Sequence, residues 1–467
     1  MWQEKHSLTM SRRRFMSLIG IGSTALLLSA CGSRAPTSTP AAGNTSGQKV
    51  KLSFWLPGGS DTYFKAHQEI AKKYEGEHTN VDVEVTRYTG DQSFVEVLLA
   101  RIAAGNPPSA TVIWDTPVAL GVRGSLLELD AMMATSQNCQ VDNWPAAILA
   151  SCQFGGKTYG LPVTAGTYGM WYNQELFEQK GVPSDPSKFP KTWDDMRQLS
   201  KEFTRWQGDK LETAGFVPIP DPYVLPIWSA LNGSQIYDAK NQRYTIDSEN
   251  NVQMMDYFLS WLEEEYKGDI QKVQNSGAWG GYPGSKGQPP AFQNGRLAMM
   301  LEGSWMMGDF YAFGQAKLKR WNVAYIPVGP SGSKQVSGYW PNWLAIPKGS
   351  NNPEEAFKYL DFMSVEGVQD WFAAVPDMPT NKKVPKNLVP KVVVEKRGDA
   401  FAKQVMDFFR KQQEIATPMW DSPIQSFAID QLQRAIERIM RKAAKPKDAL
   451  AEAQKACQAE LEKTLKG

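Results

Sequence analysis

The chain has 467 residues, of which 42% are hydrophobic and 21% charged, and its formal net charge is +2. This length exceeds what one hydrophobic core normally supports and predicts two lobes or domains. The nearly balanced charge excludes a nucleic-acid-binding protein of the usual kind, because those carry a strong basic excess.

The N-terminus has the pattern of a secretion signal. Residues 1–30 contain a basic cluster, a short apolar run and small residues before Cys31. SRRRF resembles a twin-arginine export signal, with Arg12 and Arg13 as the pair, and LLSAC resembles the bacterial lipobox, whose cysteine is lipidated. These resemblances imply a lipid anchor at Cys31 outside the cytoplasm, followed by a flexible tether at 31–48. The alternatives are an ordinary cleaved signal or an anchor helix, and the export route stays open.

The next segments alternate between strand and helix patterns. KVKLSFWLP, VDVEVTRY and ATVIW predict three strands, and residues 61–76 and SFVEVLLARIAAG predict the helices between them. This order predicts right-handed crossovers and a parallel sheet covered by helices. Ligands bind beyond the carboxyl ends of such strands. The candidate residues there are Trp55, Ser60, Asp61, Trp114 and Asp115.

A second unit follows residue 162. Thr192 predicts a helix start in KTWDDMRQL, residues 251–266 predict a helix, and two long helices are expected at the C-terminus. The Gly/Pro-rich loop 276–290 carries Trp279 and Tyr282, and loops of this length are usually functional or disordered.

The stretch SGYWPNWLAIPKGS is unusually aromatic. It contains Tyr339, Trp340 and Trp343 around Asn342, with Pro341 inside the run. Proline is disfavoured in helix interiors and central strands, so we expect an irregular turn that leads into a short strand, WLAIP.

The cysteines and histidines limit the chemistry. Cys139 and Cys152 could close a disulfide in an exported protein, or remain two buried thiols. The three histidines and the lack of a CxxC pair do not support a zinc site, and the glycines of 276–287 lack the lysine and serine of a phosphate-binding loop. We expect no metal and no cofactor.

The chain resembles the extracellular solute-binding proteins of family 1, the maltose-binding-protein-like lipoproteins of carbohydrate ABC importers. The resemblance runs from residue 11 to 467 and is carried in order by SFWLPG, ARIAAGNPPSATVIWD, GKTYGLPVTAGTYGMWYNQELFEQKGVP, PKTWDDM, AFQNGRLAMMLEGSW, PVGPSGSKQVSGYWPNWLAIPKGS and KDALAEAQKA.

The resemblance implies an α/β fold of the two-lobed, type II periplasmic-binding-protein class, with a mixed sheet in each lobe and a hinge between them. The N-lobe would comprise 49–162 and 342–387, and the C-lobe 163–341 with the C-terminal helices, 388–467. The chain would cross between the lobes near GLPVT and YWPNWLAIP, which places the aromatic stretch at the cleft.

The resemblance further implies a non-enzymatic monomer that binds a sugar or oligosaccharide and delivers it to an ABC permease. Aromatic rings cover the C–H faces of a pyranose, and carboxylates and amides hold its hydroxyls. Besides the strand-end residues, the expected ligand contacts are Trp171, Tyr172, Trp228, Trp279, Tyr282, Glu302, Trp305, Tyr339, Trp340, Asn342, Trp343, Trp420 and Asp421. For each ring the alternative is packing inside a lobe. The alternative functions are a secreted glycosidase or lyase with Asp115 and Glu302 as its acids, or a binder of a peptide, polyamine or glycerol phosphodiester.

Overall fold

The computed structural model describes residues 49–90, 92–280, 290–312 and 317–466. The signal sequence, Cys31, the tether and Tyr282 lie outside the described residues, so the expectations for them stay predictions.

The described residues form an α/β structure, as expected. The strands are β1 (Val50–Leu56), β2 (Val81–Arg87), β3 (Ala110–Ile113), β4 (Gln153–Phe154), β5 (Lys157–Thr158), β6 (Leu161–Asn173), β7 (Arg205–Gln207), β8 (Lys210–Thr213), β9 (Tyr237–Asp238), β10 (Arg243–Tyr244), β11 (Met299–Gly303), β12 (Trp321–Ala324), β13 (Ser337–Ala345) and β14 (Ala416–Pro418).

The helices are α1 (Asp61–Glu77), α2 (Phe94–Ala103), α3 (Pro117–Gly121), α4 (Asp130–Thr135), α5 (Ala146–Ala150), α6 (Gln174–Gln179), α7 (Trp193–Phe203), α8 (Leu225–Leu231), α9 (Glu249–Tyr266), α10 (Ile270–Ser276), α11 (Met306–Ala312), α12 (Pro353–Phe362), α13 (Val368–Ala374), α14 (Lys391–Arg397), α15 (Asp399–Glu414), α16 (Gln425–Met440) and α17 (Pro446–Lys466). Within the described residues, no helix is both long and apolar enough to cross a membrane.

The first lobe is built on the parallel strands β2, β1 and β3, with β1 in the middle, which confirms the prediction from the strand–helix alternation. Leu52, Phe54 and Leu56 alternate along β1 into the core, which also contains residues of α1, α12 and α13. Alternation places every second side chain on one face of a strand, so this face is buried under helices.

Two strands cross the molecule. The first half of β6 pairs antiparallel with β13, and its second half pairs with β11 and β12. β13 in turn pairs with β3 of the first lobe and with β14. A single sheet therefore runs from β2, β1 and β3 through β13 and β6 to β11 and β12. The expected crossings near GLPVT and YWPNWLAIP fall on β6 and β13, and the lobe boundaries stay predictions.

Pro341 lies inside β13, and the expectation of an irregular turn there is wrong. Pro341 is opposite Ala165 of β6, whose N–H bonds instead to the Met378 carbonyl at 2.8 Å. Pro341 and Ala165 form a non-hydrogen-bonded pair of the antiparallel ladder, in which both residues direct their backbone N–H and C=O groups away from each other. On that side β14 pairs only with 337–339 and β3 only with 343–345, so the proline faces a gap where no ladder bond is lost.

The second lobe packs its helices around β11, β12 and the end of β6. The predicted start of α7 is confirmed, because the Thr192 hydroxyl accepts a hydrogen bond from the Asp195 N–H at 3.1 Å. Trp193 and Trp228 pack against Phe258 in its interior. Helices α16 and α17 pack against each other and against α9.

The two cysteines considered for a disulfide are free thiols. Cys139 belongs to the core that contains Leu52 and Phe54, whereas Cys152 belongs to a second core with Trp343 and Ile113. The two cores lie on opposite faces of the first-lobe sheet, because neighbouring residues of β3, Val112 and Ile113, are divided between them. The possible disulfide is therefore corrected to two buried thiols.

We expect the chain from Lys49 onward to give three reactive thiols when unfolded in guanidinium, before and after reduction, because Cys139, Cys152 and Cys457 are all free. In the native protein these thiols should react slowly, because burial raises the pKa of each. Ellman's assay measures both quantities. Finding only one thiol before reduction and three after would show that Cys139 and Cys152 are bridged.

Candidate functional site

The ends of β1 and β3 approach each other, as parallel strands require. A Cβ atom on Gly58, just after β1, would lie 3.3 Å from Cη2 of Trp114, just after β3. Ser60 is the N-cap residue of α1, and its hydroxyl accepts a hydrogen bond from the Tyr63 N–H at 3.2 Å. The loop after β1 therefore passes over the Trp114 ring.

Asp61 and Trp55 lie apart from this meeting point. The Asp61 side chain is 96% exposed and forms an ion pair with Arg87 at 2.8 Å. Trp55 packs against the core on the opposite face of the sheet from the one that Trp114 contacts, and the Arg101 guanidinium lies 5.7 Å from its ring centroid. Neither side chain is part of the site around Trp114.

A chain of hydrogen bonds connects Trp114 to both crossing strands. Its indole Nε1 donates to Asn342 Oδ1 at 2.8 Å. The Asn342 Nδ2 donates to Thr164 Oγ1 at 2.8 Å and to Asp377 Oδ2 at 3.2 Å. Asn342 lies where the pairing of β13 with β6 shifts register. These hydrogen bonds hold the Trp114 ring in position relative to β6 and β13.

Gly166 forms the floor of the site. A Cβ atom there would lie 2.5 Å from the Trp305 ring and 2.8 Å from Asp377 Oδ1, so only glycine admits both groups. Trp305 also covers Gly303, where a Cβ would lie 2.3 Å from the ring, and it meets Tyr168 edge to face at a centroid distance of 5.1 Å. Trp305 itself remains partly exposed.

Trp340 stands beside this floor. It is directly opposite Gly166 in the β6–β13 pair, and opposite residues project to the same face. Trp340 and Trp305 therefore share one face of the sheet, and both are partly exposed. Tyr223, which is 41% exposed, lies 5.6 Å from the Trp340 ring centroid. The rings of Trp305, Trp340 and Tyr223 are thus accessible to solvent and cluster near Gly166.

The start of α16 contacts the loop after β3. Ser426 donates its hydroxyl hydrogen to Asp115 Oδ1 at 2.9 Å, and the Thr116 N–H donates to Gln425 Oε1 at 2.7 Å. Trp420, which precedes this helix, is 3% exposed and donates to the Tyr223 carbonyl at 3.0 Å. Trp420 therefore positions the Tyr223 segment and has little surface of its own to offer.

Carboxyl groups with raised pKa values surround Tyr168. Burial raises the pKa of Glu302 to about 7 and that of Asp309 to about 6. Burial, with the nearby charge of Asp309, raises the pKa of Asp377 to about 8. The charges of Glu302, Asp221 and Asp377 all act on the Tyr168 hydroxyl, whose pKa is raised mainly by its own burial. Glu302, Asp309 and Asp377 are therefore poorly solvated, and Glu302 and Asp377 lie close enough to Tyr168 to act on its hydroxyl.

Two further acids, Asp115 and Asp421, lie just after β3 and just before α16. Burial raises the pKa of Asp115, although the hydrogen bond from Ser426 opposes the shift. Burial also raises the pKa of Asp421 to about 6. Among the described residues, no group of three or more histidine, cysteine or acidic side chains is arranged to hold a metal ion.

Several predicted ligand contacts are interior residues, and the prediction is corrected for them. Trp171 is 0% exposed and lies against Trp321, and Tyr172 is 1% exposed and donates to the Ser184 carbonyl. Trp343 is 1% exposed in the second core, and Trp228 is packed inside the second lobe. These side chains contact protein on every side and have no surface for a ligand.

Tyr339 and Trp279 differ from this buried group. Tyr339 is nearly buried, and its hydroxyl donates to the Ala147 carbonyl at 3.4 Å. It also projects to the face opposite Trp340, because consecutive strand residues alternate. Trp279 is partly buried at the start of the Gly/Pro-rich loop.

The sequence analysis missed Gly166, Tyr168, Tyr223, Asp309 and Asp377. The segment AVPDMP places Asp377 between prolines in an apolar context, and this lone acid was the available signal. Gly166 and Tyr168 lie on β6, whose sequence LPVTAGTYGMWYN shows no alternation of polar and apolar residues that would tell its two faces apart. Tyr223 and Asp309 join the site only through the packing of distant segments.

The model of the family described as bacterial extracellular solute-binding protein matches residues 69–399. A similar curated protein is the maltooligosaccharide ABC transporter solute-binding lipoprotein of Streptococcus pneumoniae, 26% identical over 427 residues, which cover 87% of this chain and 90% of that protein.

Solved structures show the same fold. The mannotriose-bound protein CpMnBP1 matches with a TM-score of 0.72 and 23% identity, over 87% of this chain and 99% of that one. The GacH receptor of Streptomyces glaucescens, solved unliganded and in complex with acarbose, matches with a TM-score of 0.69 and 21% identity, over 89% and 99% of the two chains. The architecture is thus the two-lobed periplasmic-binding-protein fold, and the chain belongs to the bacterial extracellular solute-binding proteins.

Proposed function

We propose that the protein captures a sugar or oligosaccharide between its two lobes and delivers it to an ABC permease. The observation that carries this proposal is the pair of partly exposed indoles, Trp305 and Trp340, on one face of the crossing strands with Gly166 between them. The names of relatives such as the maltooligosaccharide-binding lipoprotein point the same way.

The chemistry of the site suits a pyranose. The C–H faces of a sugar ring bind to flat aromatic surfaces, which lose little side-chain entropy when they are covered. Asp115, Glu302 and Asp309 stand beside these rings and can bind hydroxyl groups at the sugar's edge. A ligand that lacks those hydroxyls would leave buried acids unpaired, so the site should discriminate by hydroxyl pattern.

Capture requires contacts from both lobes. A ligand stabilises a closed form only by the difference between its contacts in the closed and open forms. Trp114 and Asp115 follow β3 of the first lobe, and Tyr223 and Trp305 belong to the second. A saccharide between them would bring the lobes together, and a permease can recognise that closed form.

The N-terminal sequence completes the proposal. Lipidation at Cys31, after export directed by Arg12 and Arg13, would hold the protein at the outer side of the cell membrane, where a monomer tethered by residues 31–48 could reach its permease. The family's extracellular description and the lipoprotein name of the pneumococcal relative support this location.

Purified protein should bind one oligosaccharide of a broad neutral panel stoichiometrically and leave it unchanged. Differential scanning fluorimetry identifies the ligand, because a compound that binds only the native state raises the melting temperature. Calorimetry then gives the stoichiometry, and chromatography after prolonged incubation detects products. Accumulating hydrolysis products would instead support the glycosidase alternative with Asp115 and Glu302 as its acids.

Substituting Trp340→Ala should weaken saccharide binding by more than about tenfold, because the sugar loses one stacking surface and its buried apolar area. Trp206→Ala is the matched control. Trp206 lies on β7, away from the site. Its ring is also partly buried, and the ring centroid is 4.4 Å from Lys267 Nζ. Equal affinity of a folded Trp340→Ala variant and the parent would remove Trp340 from the site.

Substituting Gly166→Ala should displace Trp305, since the new Cβ would overlap its ring, and should weaken binding by about tenfold or more. Gly76→Ala on α1 serves as the control, because no atom lies within 4 Å of its Cβ position. The control should retain full affinity and gain up to about 1 kcal/mol of stability from helix propensity. Unchanged ligand affinity in Gly166→Ala would contradict a role for the Trp305 position.

A further inference from the structure

We propose that Asn342 is a positioning residue for ligand capture, which holds the Trp114 indole so that the ring presents a face to the saccharide. The inference rests on the proposed function and names the residue that prepares one of its binding surfaces. It also revises the expectation that Asn342 contacts the ligand directly.

The side-chain amide of Asn342 has no donor left for a ligand. Asn342 is 6% exposed. Its Nδ2 atom carries two hydrogens, and the bonds to Thr164 Oγ1 and Asp377 Oδ2 use both of them. Its Oδ1 atom accepts from the Trp114 indole, which can only donate, so the orientation of the amide is fixed. Asn342 therefore acts on a ligand through the residues that it holds.

The support for this amide comes from separate parts of the chain. Thr164 lies on β6, Asn342 lies on β13 where the pairing with β6 shifts register, and Asp377 follows α13. Thr164 and Asp377 are both buried. Asp377 is held in turn, because the indole N–H of Trp371 on α13 faces its carboxyl group. The amide is thus anchored on both crossing strands and on the first lobe.

The far edge of the Trp114 indole is held as well. A Cβ atom on Gly58 would lie 3.3 Å from Cη2 and 3.5 Å from Cζ3 of the ring, so the loop after β1 closes on its benzene edge. The N–H edge is bonded to Asn342. The ring also packs against the core around Leu52 and Phe54, and it remains partly exposed. With both edges held and the N–H used, Trp114 offers a ligand the open part of a face.

The held ring lies beside another open indole. Asn342 and Trp340 are two residues apart on β13, so their side chains project to the same face, about 7 Å apart along the strand. Trp114 is therefore a neighbour of Trp340, on the face that also carries Gly166. A surface whose orientation is set before binding costs less ordering entropy when the ligand arrives. Asn342 contributes affinity by this preorganisation of Trp114.

A double-mutant cycle tests whether Asn342 acts through Trp114. Calorimetry compares the parent, Asn342→Leu, Trp114→Phe and the double variant, using whichever of maltotriose, cellotriose and mannotriose the parent binds most tightly. Asn342→Leu should weaken binding by about tenfold, the upper range for one lost hydrogen bond. In the Trp114→Phe background, which lacks the indole N–H, the same change should cost less than about twofold. Losses of equal size in the two backgrounds would overturn the proposal.

Asn251→Leu is the matched control. Asn251 is 1% exposed at the start of α9, and its Oδ1 atom accepts from the Ser229 hydroxyl at 2.6 Å. Its Nδ2 atom donates to the carbonyls of Gln235 and Thr245, so it accepts one bond and donates two, as Asn342 does. This variant should melt at a lower temperature than the parent and keep the parent's affinity. A tenfold loss of affinity here too would assign the effect of Asn342 to general destabilisation.

Hydrogen exchange reports on the ring without any ligand. In protein labelled with indole-15N tryptophan, the Trp114 N–H signal is the one that is absent from Trp114→Phe. Its exchange in D2O should be slow in the parent and in Asn251→Leu, and clearly faster in Asn342→Leu, which removes its acceptor. Asn342→Ser, a smaller polar side chain, provides the same test if the leucine variant does not fold. Unchanged protection of the Trp114 N–H in a folded Asn342 variant would refute the positioning role.

The inference and the proposed function fail differently. If a saccharide binds but the cycle gives equal losses, sugar capture stands and only the role of Asn342 falls. If none of the three trisaccharides and no member of the neutral panel binds the folded parent, the proposed function is rejected, and a role for Asn342 in capture is rejected with it.

Discussion

The structure depends on the pairing of β6 with β13. These strands lie side by side along Leu161–Thr167 and Tyr339–Leu344, and each continues into a different set of neighbours. Their hydrogen bonds are shared by both lobes, so the connection between lobes is made of sheet and not of loose linker. Every residue of β6 is buried, which keeps this connection out of water.

The site follows from the alternation of side chains on this pair. Thr164, Gly166 and Tyr168 on β6 share a face with Trp340 and Asn342 on β13, because directly opposed residues project to the same side. The opposite face carries Tyr339 and Pro341. A ligand on the first face would contact the crossing strands themselves, so a change in the angle between lobes would alter the shape of its site.

The buried acids have an energetic consequence. Glu302, Asp309 and Asp377 have folded-state pKa values above the usual value of about 4. The folded protein then binds more protons than the unfolded chain between pH 4 and about 8, so these groups lower the free energy of unfolding as the pH rises through that range.

The sequence by itself determined much of the framework. The strands and helices of the first lobe, the start of α7, the long C-terminal helices and the family could all be predicted, because periodicity, capping residues and strand–helix order are local properties. It also indicated that Trp114, Asn342, Trp305 and Trp340 matter together, although it did not separate them from equally aromatic neighbours.

The tertiary structure decided which rings are open. The tertiary structure covers Trp171, Trp228 and Trp343, although they occur in aromatic sequence segments like those of Trp305 and Trp340. Exposure depends on what packs from distant parts of the chain, and only the fold places Gly166 under Trp305 or Asp377 beside Asn342. The position of Pro341 within a central strand was hidden for the same reason, because the gap between β14 and β3 that accommodates it is formed by segments more than 200 residues apart in the sequence.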